Sequence, residues 1–148
     1  MTLQVPVSLK SGHEALTTAL RRAMREPGGT GDAARRLASV MDGHMMREEK
    51  FALRPLGLLK ALGRGETPAD LAEAARLVEG LKREMPQMVD EHRQIAELLR
   101  LLAKEAEAAG KPEYVALAEE LILHAHVEED VLYPAALLIG EYARKVRG

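Results

Sequence analysis

The chain has 148 residues, a formal net charge of −2 and no cysteine. That length suits one domain, residues 1–148, with a real core, and the missing thiols exclude disulfide scaffolds, thiolate catalysis, zinc fingers and iron–sulfur clusters. The near-neutral charge leaves no electrostatic footprint for nucleic acid. Aromatic residues are one Phe, three Tyr and no Trp, a composition that suits packed helices better than a sheet. No apolar run approaches the roughly 18–20 residues of a membrane span, and no long apolar segment follows Met1, so a soluble cytoplasmic protein is expected.

The first predicted helix runs from Ser8 or Ser11 to Arg25. Ser11 and Glu14 make a possible capping box, Leu9, His13, Leu16 and Leu20 follow a helical period, and Glu26-Pro27-Gly28-Gly29 ends the segment. The second opens near Thr30 or Asp32 and carries the stripe Leu37, Met41, His44, Glu48, Phe51. Pro55 predicts a kink, with a short helix over Leu56 to Leu62 before Gly63-Arg64-Gly65. Thr67-Pro68 reads as the start of a long third helix that reaches about Ala109, with Gly80 and Pro86 inside it. A kink near Pro86 is favoured over two helices. Its later stripe is Leu81, Met85, Met88, His92, Ile95, Leu99 and Leu102. After Lys111-Pro112 the last helix carries Leu117, Leu121, His124, Glu128, Val131 and Ala135, with a kink near Pro134 and a tail to Val146. Four main helices with short connections predict an all-α, up-down-up-down four-helix bundle.

Four of the five histidines fall on predicted core faces, one per main helix: His13, His44, His92 and His124. Two of them are followed four residues on by a carboxylate, as His44 with Glu48 and His124 with Glu128. Positions i and i+4 share one face of a helix. A pair on the surface would be worth only a few tenths of a kcal/mol, but these pairs lie on apolar stripes, where a buried glutamate is costly unless paired or bound to a cation. A lone histidine such as His13 or His92 is ordinarily a hydrogen-bonded core residue. Here all four converge on one bundle interior. His126 with Asp130 is a competing register on a more polar face that also carries Glu119, Ile122, Glu129 and Tyr133. His126 lies about 200° around the helix from His124 and cannot share its metal. Glu129 is a closer rival to Glu128. The metal ligands are therefore expected to be His13, His44, Glu48, His92, His124 and Glu128. Imidazole with carboxylate suits Fe, Mn, Zn or Co. Six ligands, two able to bridge, fit two metal ions.

The same residues carry a family resemblance. His13 in GHEAL, His44 in HMMREE, His92 in DEHRQI and the stretch HAHVEEDVLYP from His124 to Pro134 resemble a hemerythrin-like (HHE cation-binding) domain over about Leu9 to Val146. The last stretch matches the family's H-x-x-x-E-E-x-x-L-F-P type of signature. The resemblance implies a four-helix bundle holding two iron ions in an oxo- or hydroxo-bridged centre, with other divalent metals possible. It implies that His13 and His44 hold one iron, that His92 and His124 hold the other, and that Glu48 and Glu128 bridge. Oxygen-carrying members have a second histidine on the third helix; here Met88 lies one turn before His92 and Ala96 one turn after. The shell is one histidine short, which implies an exchangeable position that Glu49 or Glu91 could fill.

The expected function is binding of O2 or a related small oxidant such as peroxide, for sensing, storage or detoxification. A redox enzyme of peroxidase, catalase-like or oxygenase type, and an iron storage or delivery protein, are the alternatives. The small oxidant is the expected partner, with no nucleic acid and no membrane.

Overall fold

The computed structural model describes residues 3–147. Its long helices are α1 (Val7–Met24), α2 (Gly28–Glu48), α4 (Leu71–Ala108), α5 (Pro112–Val127) and α6 (Tyr133–Arg147), with the short α3 (Leu59–Gly63) between α2 and α4. α5 and α6 follow one another as one arm, so the described residues form a four-helix bundle without strands. α1 packs against α2 and α5, while α4 packs against α2, α5 and α6. Among the described residues no helix is long and apolar enough to cross a membrane.

Local chemistry moves several helix ends from their expected places. Pro6 is extended and stands before α1, and its carbonyl accepts from the N–H groups of Leu9 and Lys10. Ser11 is thereby already inside the helix, and no side chain caps it. α2 starts at Gly28, after the extended Pro27. α4 starts at Leu71 because Thr67-Pro68 forms the preceding turn, where the Leu71 N–H donates to the Pro68 carbonyl. α4 then runs unbroken through Gly80 and the exposed Pro86. The two-helix alternative does not occur.

The irregularities expected at Pro55 and Pro134 take a specific form. A proline has no N–H for the carbonyl four residues back, and its ring crowds that carbonyl. Both sites answer by widening the preceding turn. Residues Glu49–Leu53 and Glu128–Leu132 are π-helical, with the N–H of Arg54 reaching the Glu49 carbonyl and that of Tyr133 reaching the Glu128 carbonyl. A 3₁₀ turn over Arg54–Leu58 follows the first. Each widened turn shifts the phase of the helix by about one residue. Val131, expected in the core, is 57 % exposed, and Tyr133 is buried in its stead. Likewise Phe51 is only half-buried, and Ala52 and Leu53 face inward.

The interior has two apolar layers. One holds Leu16, Leu20, Leu37, Met41, Leu99 and Leu121 with their neighbours. The other holds Leu53, Leu56, Leu81, Met88, Tyr133 and Ile139. In each of α1, α2, α4 and α5 the stripe is interrupted by one histidine, at His13, His44, His92 and His124.

Candidate metal centre

The four histidines and two glutamates come together as expected. His13, His44, Glu48, His92 and Glu128 are buried, each 5 % exposed or less. The His124 side chain is 25 % exposed. The i, i+4 spacing on α2 and on the α5 arm brings imidazole and carboxylate side by side: His44 Nε2 lies 3.4 Å from Glu48 Oε2, and His124 Nε2 lies 2.8 Å from Glu128 Oε2.

Each carboxylate reaches both halves of the cluster. Glu48 sends Oε1 to His13 Nε2 (2.9 Å) and Oε2 to His44 Nε2 (3.4 Å). Glu128 sends Oε2 to His124 (2.8 Å) and His13 (3.3 Å), and Oε1 to His92 (3.3 Å). The donors accordingly fall into two groups of four, His13–Glu48–His124–Glu128 and His44–Glu48–His92–Glu128, with ligand atoms within 4.8 Å of one another in each. This grouping of the histidines differs from the one implied by the resemblance. His13 stands with His124, their Nε2 atoms 3.1 Å apart, and His44 with His92, at 2.9 Å. Both pairs join helices that pack together, α1 with α5 and α2 with α4.

This donor set fits a metal ion. Nitrogen and oxygen ligands at about 2.0–2.2 Å stand roughly 3 Å apart when they subtend a right angle at the metal, which is the spacing of the paired imidazoles. Without a cation, the two buried carboxylates draw protons onto the imidazoles. Burial opposes the charged form of His13, but its hydrogen bonds to Glu128 and Glu48 outweigh burial and push its pKa up to about 10. His44 and His92 are raised in the same way, against burial, chiefly by Glu48 with Glu91 and by Glu128 with Glu129. Burial would raise Glu128, yet its contacts with Glu48 and the histidines hold it far below the usual carboxylate range. An incoming metal takes the place of those protons.

The three carboxylates left open by the sequence sit outside the centre. Glu91 Oε1 accepts from His44 Nδ1 at 3.0 Å and is held by Arg47. Glu129 Oε1 accepts from His92 Nδ1 at 2.8 Å. Both bonds leave Nε2 as the inward nitrogen. Glu49 Oε1 is 3.9 Å from His13 Nδ1, which is buried without a hydrogen-bond partner. His126 and Asp130 are exposed and stand apart from the cluster.

Tyr133 is a residue beside the cluster that sequence reasoning placed wrongly. It was expected on the polar face with His126. It is 2 % exposed, and its hydroxyl donates to Glu48 Oε2 and lies 3.3 Å from His92 Nε2. Burial and the nearby Glu48 and Glu128 charges push its phenol well above the usual range, so it stays protonated. The signal that could have found it is the Tyr-Pro step itself, because a proline one residue on widens the turn and rotates the tyrosine inward.

A cavity of about 20 Å³ adjoins the cluster, walled by Met41, Met45, Ile95, Leu121 and Ala125 together with His44, Glu48, His92, His124 and Glu128. That is room for one water-sized molecule.

Comparison with curated proteins and with solved structures finds no match. A family profile does match: the Hemerythrin HHE cation binding domain aligns with residues 8–136, which span α1 to the first turn of α6 and include all six clustered residues. The chain belongs to the hemerythrin HHE cation-binding family.

Proposed function

We propose that this chain is a non-haem di-iron protein that binds O2 or a related small oxidant, for sensing, storage or detoxification. The observation that carries this reading is the geometry of the two glutamates. Each aims one oxygen at the His13–His124 pair and the other at the His44–His92 pair. His13, His124, His44 and His92 would each give one nitrogen, and Glu48 and Glu128 would span both positions. Two iron ions held there would supply electrons to an oxidant.

The side chains around the cluster do the rest. Met41, Met45, Ile95 and Leu121 keep the adjoining cavity apolar, and its volume of about 20 Å³ is too small for an organic substrate. Tyr133 holds the Glu48 carboxylate in place and keeps one proton beside it. Glu91 and Glu129 fix the rings of His44 and His92 through Nδ1. The same small cavity supports, as second reading, an enzyme that turns over peroxide.

The test is anaerobic loading with Fe²⁺, metal analysis per chain, and the optical spectrum before and after O2. Two irons per chain and new charge-transfer bands are expected. A single metal, or no spectral response to O2 or peroxide, would overturn the reading. Sustained H2O2 consumption would favour the enzyme over the binder.

A further inference from the structure

The two histidine pairs are alike in composition but not in surroundings. In the pair His44–His92, both Nδ1 atoms are engaged by carboxylates, Glu91 at 3.0 Å and Glu129 at 2.8 Å. Glu91 is itself held by Arg47 and lies 3.4 Å from the Gln87 amide. Both imidazoles are 5 % exposed or less. Tyr133 adds its hydroxyl on this side, at Glu48 Oε2 and near His92 Nε2. In the pair His13–His124, the buried Nδ1 of His13 has no partner, its nearest carboxylate oxygen, on Glu49, being 3.9 Å away. The His124 side chain is 25 % exposed.

An imidazole whose far N–H is held by a carboxylate is oriented before the metal arrives and is a stronger base towards it. Loss of such a partner typically costs about 10–100-fold in metal affinity. One pair has two such partners; in the other, His13 Nδ1 has no hydrogen-bond partner among the described residues and His124 opens to solvent. We propose that the two metal positions are unequal: the His44–His92 position binds first and retains its ion, and the His13–His124 position fills second and exchanges. This rests on the two-metal reading above.

The test is titration of the metal-free full chain with Co²⁺ under anaerobic conditions, followed by its visible bands. Wild-type protein should show two steps separated by at least about tenfold in affinity. Glu91→Gln with Glu129→Gln should weaken the first step by more than the roughly 10–100-fold of a single lost partner and leave the second in place. His124→Ala should remove the second step and keep the first at its wild-type affinity. Circular dichroism checks that each variant remains helical, and the two-step wild-type curve stands without any variant. Two equal steps, a first step untouched by the double substitution, or a first step abolished by His124→Ala would overturn the inference while leaving two metals per chain intact. Failure to bind Co²⁺ at all would overturn the two-metal reading and the inference with it.

Discussion

At the scale of single residues, the centre ranks its carboxylates by which atom they face. Glu48 and Glu128 face Nε2 atoms of both histidine pairs, whereas Glu129 faces a ring nitrogen on the outer side of His92. Asp130 is exposed and belongs to neither group of four. Glu48→Ala or Glu128→Ala should therefore empty at least one metal position, measured as metal per chain after dialysis. Glu129→Ala should weaken binding about 10–100-fold, and Asp130→Ala and His126→Ala should leave occupancy unchanged. Equal losses in all five variants would mean that the inward face has been misread. Tyr133→Phe tests a different bond. It keeps the ring in its apolar layer and removes only the hydroxyl that donates to the buried Glu48. Leaving that carboxylate without its donor should cost about 1–3 kcal/mol, read as a lower melting temperature of the metal-free protein. An unchanged melt would show that Glu48 does not depend on the phenol.

At the scale of elements, what was legible in the sequence was whatever a straight helix can express. His13, His44, Glu48, His92, His124 and Glu128 all lie where a 3.6-residue period puts them, and all six meet. The period fails just past each glutamate, because Pro55 and Pro134 open π turns that admit one extra residue. This hid Tyr133 and wrongly promoted Val131. The proximity of His13 to His124 and of His44 to His92 was not legible either, since it depends on how side chains of different helices meet inside the bundle and not on any one stripe. Glycines make the packing testable. A Cβ on Gly31 would stand 1.9 Å from the backbone carbonyl oxygen of Glu26, where the α1–α2 turn closes. A Cβ on Gly12, within α1, would meet nothing within 4 Å. Gly31→Ala should thus destabilise by about 1–3 kcal/mol through forced backbone shifts. Gly12→Ala should stabilise by about 0.5–1 kcal/mol, because alanine loses less backbone entropy in a helix interior. Chemical denaturation of the two variants should show opposite signs, and a shift of the same sign in both would discredit the close approach at Gly31.

At the scale of the whole molecule, the bundle is two apolar layers with a charged cluster as an added feature of four helices. Leu37, Leu99 and Leu121 pack in one layer, and Leu53, Leu81 and Ile139 in the other, among apolar side chains. Removing metal should thus leave the helices formed. The cluster itself fares worse, because two carboxylates and three imidazoles, each 5 % exposed or less, then depend on protons and on one another. Metal binds these groups only when the fold brings four helices together, so it stabilises the native state by mass action. Free metal at 100 times its dissociation constant contributes about 2.7 kcal/mol. For a chain of this size that corresponds to a rise of roughly 5–10 °C in melting temperature. Chelated protein should give the same far-ultraviolet dichroism as loaded protein at 25 °C and unfold at a lower temperature, with the gap widening as free metal is raised. Identical melting curves for the two forms would mean that the cluster is not a metal site, and a loss of helix on chelation would mean that the apolar layers cannot hold the bundle without it.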